Sequence, residues 1–317
     1  MPKPPSPIRQ ISLKTRTASQ VPGKRGTASP AAGSGSGTLH AWWLGQAGFL
    51  FEACGLRMLI DPYLSDFLAQ KYRGKKYPHT RMAPPPVQAE ELFDVDFVLA
   101  THGHSDHLDP GSLPVIARNN PSCRFVVPES CRATALERGV PADRLITVDA
   151  GTILPLGGGA ILSAIPAAHE RLEKDAAGHF LHLGYVLDFD GLVVWHSGDC
   201  VPYPGLEESL AGFHVDVAFL PINGRDAERT GNGILGNFRL DEAVDLVLTV
   251  PIALGIGHHF GLFDFNTIEP EEVRKYLASR PETEGRFALV ENGVEYGFTS
   301  GVSSNLTTPT SARRIGT

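Results

Sequence analysis

From Leu39 onward, short apolar runs alternate with glycine-marked breaks. LHAWWLG, GFLFEA and RMLIDP are each short and rich in aromatic and aliphatic residues, as consecutive antiparallel strands require. FDVDFVLAT predicts a buried strand, and GSLPVIARNN just beyond it has helical spacing despite its proline. The same spacing predicts helices at ESCRATALERG, LDEAVDLVLTV and EPEEVRKYLAS, the last opened by Asn266 or Thr267 as a cap. Between them AILSAIP, LGYVLDFDGLVVWHSGD, VDVAFLPI, IALGIGHH and RFALVENGVEYGF are strand-like, with Asp190-Gly191 separating two apolar runs as a hairpin turn. Strands in two groups, each accompanied by helices, predict an α/β (α+β) domain in which two sheets pack face to face with helices outside.

The first 37 residues break this pattern. They are rich in Pro, Ser, Gly, Thr and Ala, end in GSGSG, and carry Lys3, Arg9, Lys14, Arg16, Lys24 and Arg25 with no acidic residue. With no hydrophobic period to specify a packed element, residues 1–37 read as a disordered basic tail, 38–300 as the folded domain and 301–317 as a flexible C-terminal tail.

Composition narrows the function classes. A chain of 317 residues can bury its core without disulfide or metal staples, and Cys54, Cys123, Cys131 and Cys200 form no C-x-x-C pair. A reducing, cytoplasmic setting is the expectation. No apolar run is long enough to span a bilayer. The net charge of −7, carried by a body more acidic still than the whole chain, argues against nucleic acid as a partner and leaves any anionic ligand to local cations.

The chemistry concentrates in ATHGHSDHLDP, residues 100–110, at the expected strand-to-helix turn. His102 and His104, two apart, point the same way in an extended loop, and Asp106 and His107 follow after one residue. Imidazole and carboxylate together suit zinc, manganese or iron. Further ligands must come from elsewhere, and His169, Asp199 and His258 each stand where a predicted strand has just ended, the place where a rigid scaffold displays reactive groups. The bland alternative, polar surface residues assembled by chance, suits one histidine better than H-x-H-x-D-H with three spaced partners.

The H-x-H-x-D-H loop resembles that of the metallo-β-lactamase superfamily. From WWLGQAGFLFE through ATHGHSDHLD, VVWHSGD and LPINGRD to GHHFGLFDF the chain is most similar to the L-ascorbate-6-phosphate lactonase group. The resemblance implies a four-layer αββα sandwich and a hydrolase that uses a metal-ionised water on a sugar-acid lactone, phosphorylated or not. It implies one or two divalent ions, Zn(2+) or Mn(2+): His102, His104 and His169 at the first, Asp106, His107 and His258 at the second, and Asp199 bridging. Asp106 is expected to move a proton; His259 competes with His258 as ligand and is otherwise placed on the substrate as a catalytic residue. The partner is a small anionic molecule, and the resemblance leaves room for a homo-oligomer. Two alternatives stand beside it, a phosphodiesterase of the N-acyl-phosphatidylethanolamine-hydrolysing type and a metal-binding module without catalysis.

Substrate contacts are read from two stretches. In NGRDAERTGNGILGNFRLDEA, Arg225 and Arg229 suit bidentate anion recognition, or else pair with neighbouring acids in a solvated loop. His182 and Tyr185 of LHLGYVLDF are expected to border the cleft. Asp61, after an apolar strand, either orients a ligand histidine or caps the turn at Pro62.

Overall fold

Side-chain alternation along the first strands divides their residues between two cores, and this division sets the architecture. The computed structural model describes residues 11–17, 21–25 and 37–300. In chain order, the first strands are β1 (Ile11–Thr17), β2 (Thr38–Gly45), β3 (Gly48–Ala53), β4 (Leu56–Ile60), β5 (Phe97–Leu99), β6 (Arg124–Pro128) and β7 (Leu145–Val148). Ala41, Trp43, Phe49, Phe51, Met58 and Ile60 point into one core, while the intervening Trp42, Leu44, Leu50 and Leu59 point into another.

The first core lies between two sheets. The second sheet is built from β8 (Ile153–Gly157), β9 (Ala160–Pro166), β10 (Leu183–Phe189), β11 (Leu192–His196), β12 (Val217–Pro221), β13 (Leu254–His258) and β14 (Phe287–Leu289), and β15 (Val294–Ser300) returns to the first. The orders are β1-β15-β2-β3-β4-β5-β6-β7 and β14-β13-β12-β11-β10-β9-β8. Phe49 and Phe51 of the first sheet meet Phe219 of the second with ring centroids at 4.7 and 5.1 Å, and each buried ring of this kind contributes roughly 1.5–3 kcal/mol. The second core is capped by α2 (Leu113–Asn119) and α3 (Arg132–Glu137), which follow α1 (Phe67–Lys71). On the other flank α4 (Leu206–Ala211), α5 (Ala227–Gly231), α6 (Leu240–Thr249) and α7 (Pro270–Ala278) follow in sequence, and α6 lays Ala243, Val244 and Val247 on the second sheet. Two mixed sheets flanked by helices form the α/β sandwich that the alternation predicts.

Several expectations change in detail. Within the stretch read as a disordered tail, Ile11–Thr17 pairs antiparallel with β15, because Ile11 and Leu13 alternate with polar residues and pack on the inter-sheet core. Val21 is buried and Arg25 reaches Asp96 and the Gly55 carbonyl. The tail expected over 301–317 lies outside the described residues. RFALVENGVEYGF supplies β14 to one sheet and β15 to the other. The cap of α7 is Glu269 with Pro270 in the first turn, while Thr267 accepts a hydrogen bond from the Gly261 amide. Asp190 and Gly191, at φ 54° and 95°, make the expected two-residue hairpin between β10 and β11.

β4 to β7 and β11 to β14 run parallel, so the C-terminal ends of strands in each set share a rim. β5 ends two residues before Thr101, β9 three before His169, β11 three before Asp199 and β13 one before His259. β10 runs antiparallel to β9, so its beginning, preceded by His182, reaches the same rim. The crevice at such strand ends is where sheets of this kind place a site.

Candidate metal centre

Eight side chains converge at that rim. Ligand atoms lie within 4.8 Å of one another in three overlapping groups: His102, His104 and His182; His102, His107 and Asp199; Asp106, His107 and His259. Asp199 sits at the middle, its carboxylate 3.4 Å from His107 Nε2, 3.5 Å from His169 Nε2 and 3.2 Å from His259 Nε2. The loop that carries Asp199 needs glycine before it. Gly198 has φ +62°, and a Cβ there would stand 2.9 Å from both the Leu183 carbonyl oxygen and Thr101 Cβ.

Hydrogen bonds behind the rings fix which nitrogen faces inward. His107 Nδ1 lies 2.7 Å from Asp61 Oδ2 and His169 Nδ1 lies 3.0 Å from the Gly236 carbonyl; both acceptors lack a proton, so each Nδ1 carries one and Nε2 is the nitrogen left to face a cation. Thr101 donates its hydroxyl to Asp61 Oδ2 at 2.7 Å and so accepts from His102 Nδ1 at 3.1 Å. Asp61 also accepts from the Thr101 amide at 2.8 Å. The inward Nε2 atoms of His102, His107 and His259 are buried without a hydrogen-bond partner among the described residues. Buried imidazole lone pairs left open in this way, beside ionised carboxylates, fit a divalent cation.

Electrostatics agree with that fit. Burial holds the imidazoles of His102 and His104 down, and pushes His169 to about 3 and His182 to about 4, so all four stay neutral and able to ligate near neutrality. Burial alone would also depress His107, yet Asp199, Asp61 and Asp106 hold it well above the usual value when no cation is present. Burial would raise Asp199; His259 and His107 keep it ionised well below the usual carboxylate range.

These shifts give an expected pH dependence for the metal-stripped protein. His169 and His182 are held below their ordinary value of 6.5, so between pH 6.5 and about 4 the unfolded chain takes up protons that the folded chain refuses. His107, raised, opposes this only at the upper edge, where the unfolded imidazole is still partly deprotonated; about one unit below 6.5 it is protonated in both states and the opposing slope fades. Stability falls as pH drops through this window, by at most about 1.4 kcal/mol per imidazole per pH unit. Thermal melts at pH 7.5, 6.5, 5.5 and 4.5 check it, and a midpoint that stays level from 6.5 to 4.5 contradicts it.

The sequence-predicted residues divide into those gathered and those not. His102, His104, Asp106, His107, His169 and Asp199 stand together. His258 does not. As the last residue of β13 its ring turns into the inter-sheet core, with centroids 5.4 Å from Phe49 and 5.2 Å from His196. His259 leaves the strand at φ +68° and swings its ring into the cluster, so the backbone reversal decides between the two neighbours. Tyr185 is wholly buried and donates its hydroxyl to the Ala100 carbonyl at 2.7 Å, which removes it from the cleft. His182 belongs with the histidine cluster and is not among the cleft's lining residues. Arg225 makes a bidentate pair with Glu242 at 2.6 and 2.7 Å, and Arg229 pairs with Asp226 while donating to the Asn223 carbonyl and Asn266; both are half-buried, paired with neighbouring acids and absent from the cleft's lining.

Above the cluster opens a cleft of about 390 Å³, floored by His104, Asp106, Asp199 and His259. Its walls include residues that sequence reasoning did not single out, among them Lys71, Tyr72, Lys75 and Phe263. Gln46 also escaped notice, though its amide donates to Asp106 Oδ2 at 3.1 Å.

Known proteins resemble this chain in sequence and in fold. Residues 56–260 match the family model described as a beta-lactamase superfamily domain. An N-acyl-phosphatidylethanolamine-hydrolyzing phospholipase D 1 of Caenorhabditis elegans is 28% identical, with 77% of this chain and 71% of that protein covered. A UPF0173 metal-dependent hydrolase of Archaeoglobus fulgidus is 28% identical over 81% of this chain and 97% of its own. Among solved structures, an isothiocyanate hydrolase from Delia radicum gut bacteria superposes with a TM-score of 0.64 at 17% identity, covering 81% of this chain and 98% of that one. A metallo hydrolase of Ignicoccus hospitalis gives 0.61 at 18% identity, covering 82% and 98%. With more than half its length inside the family model and its inward-facing histidines and aspartates at the strand ends, this chain belongs to the β-lactamase superfamily as a metal-dependent hydrolase of the metallo-β-lactamase fold.

Proposed function

We propose that this hydrolase opens the ester bond of a lactone on an anionic small molecule, with two cation positions in the cluster. His102 and His104, joined by His169 or His182, would hold one ion; Asp106, His107 and His259 would hold the other; Asp199 would lie between them. The single observation that carries this reading is Asp199 flanked by three Nε2 atoms within 3.5 Å, two of them on rings whose Nδ1 protons are tied to Asp61 and Gly236. A divalent ion there supplies Lewis acidity toward a carbonyl and brings the ionisation of water close to neutral pH.

The chain's own residues would do the rest. The cleft would hold the ring with its carbonyl over the cluster, and the buried carboxylates would keep the imidazoles in place without further reorganisation. Asp106, lining the cleft with 17% of its side chain exposed and steadied by Gln46, would take up the proton and return it to the leaving oxygen. The sugar acid that the sequence resemblance implies is carried here only as an anionic, lactone-bearing molecule. The C. elegans relative, named for hydrolysing N-acyl-phosphatidylethanolamine, supports phosphodiester hydrolysis as a second reading.

Two measurements test this. Turnover by metal-replete protein on sugar lactones, phosphorylated and not, and on aryl phosphodiesters separates the two bond classes. Metal analysis of two variants tests the ligand set: His259→Ala is expected to retain about one ion fewer per chain than the unaltered protein, while His258→Leu, which fills a site walled by Phe49, retains all of them. The opposite pattern would return the ligand role to His258.

A further inference from the structure

Besides Arg138, whose guanidinium donates to the His104 and Leu108 carbonyls, the cations that line the cleft lie on a segment the arginine-rich stretch does not include. Lys71 ends α1, and Lys75 and Lys76 follow it; all three side chains are exposed and border the opening above the cluster. Lys76 is paired with Glu228 of α5 at 3.1 Å. Lys71 and Lys75 have no carboxylate within 4.0 Å among the described residues, and Lys71 instead rests over the Tyr72 ring at 5.1 Å. Arg225 and Arg229, by contrast, are already paired. Cations left unpaired on the wall of an otherwise acidic protein are available to an anion from outside.

The lysine ribbon is fixed in place. Tyr72 stacks on His79 at 4.3 Å, His79 meets Phe263 and Phe265 edge-on at 5.0 and 4.8 Å, and Tyr77 meets Phe265 at 4.8 Å. Tyr63, Leu68, Leu262 and Phe263 form a small core of their own beneath it. The lysines are therefore anchored to the loop that begins at His259, at the site itself. The lining is mixed: Leu68, Tyr72, Phe263, Ile234 and Leu235 supply apolar surface beside polar groups such as Asn266. An apolar or aromatic body fits that apolar surface.

We infer that the substrate is an amphipathic anion: an apolar body seated between Tyr72, Phe263 and Leu235, with a carboxylate or phosphate outside the scissile bond held by Lys71 and Lys75. This rests on the hydrolase reading for its turnover arm alone. Exposed ion pairs are individually weak, so losing both lysines lowers affinity for the anion about tenfold.

The test compares two probes of one shape. 8-Anilinonaphthalene-1-sulfonate carries the anion on an aromatic body, and N-phenyl-1-naphthylamine is its neutral counterpart. In metal-loaded full-length protein, Lys71→Ala/Lys75→Ala is expected to weaken the sulfonate about tenfold more than the neutral probe, and the difference shrinks in 0.5 M salt. Lys275→Ala on α7 serves as the control that changes neither. The second arm compares KM for p-nitrophenyl hemisuccinate with that for p-nitrophenyl butyrate, and the same selective rise is expected. Equal weakening of both probes, or none, overturns the assignment. Selective loss of the sulfonate with neither ester hydrolysed by any form leaves the anion site standing and counts against ester hydrolysis instead.

Discussion

Asp199→Ala is expected to abolish stable metal binding and to lower turnover by at least about a thousandfold, the equivalent of roughly 4 kcal/mol of lost transition-state stabilisation. Among the described residues its carboxylate is the one group that approaches His107, His169 and His259 together, at 3.4, 3.5 and 3.2 Å. Ionised and only 4% exposed, it supplies the negative charge that makes the gathering of cations there favourable. Asp199→Asn separates charge from shape: it keeps the volume beside Gly198 and removes the anion. Metal per chain by elemental analysis and turnover on the best substrate are the readouts. Full metal content and full activity in either variant sinks the proposed centre.

The strand ends that build the site could be read from sequence because they follow from alternation. ATHGHSDHLDP sits after FVL, Asp199 after LVVWH, and His169 after AILSAIP, so periodicity alone put these residues on one rim. The choice between His258 and His259 was beyond that reasoning. It depends on a single positive φ in a non-glycine residue, and the strand pattern IALGIGHH gives no sign of where the chain leaves the sheet. His182 was placed at the border of the cleft, but its grouping with His102 and His104 is visible only once β10 is known to run against β9. Tyr185 looked polar enough to face a ligand, yet its hydroxyl satisfies the Ala100 carbonyl inside the core. The lysines of α1 were hidden in a charged run that reads as a solvated face; only the aromatic stacking of Tyr72, His79 and Phe263 brings that run over the cleft. Ile11 and Leu13 were likewise outweighed by the proline and glycine around them, although the partner strand they needed lies at the far end of the chain.

Asp61 carries the second large effect, and it separates two ways of losing a buried carboxylate. Its oxygens accept from the Thr101 amide, the Thr101 hydroxyl and His107 Nδ1, all in a wholly buried setting. Asp61→Ala leaves these donors unpaired, and at about 1–3 kcal/mol for each unsatisfied buried group it is expected to cost roughly 3–5 kcal/mol of stability. Asp61→Asn should fold far better, because Asp61 has φ 45° and asparagine is among the few residues that tolerate this left-handed region. Its failure would be chemical. With the amide oxygen retained toward the Thr101 amide, the NH2 group faces His107 Nδ1, which must then give up its proton to accept; the proton moves to Nε2, the lone pair aimed at the cluster is lost, and metal affinity is expected to drop about 10–100-fold. Urea unfolding of the metal-free forms and chelator competition for the metal read the two effects independently. An Asn variant that binds metal like the unaltered protein would show that the tautomer of His107 is set by something other than Asp61.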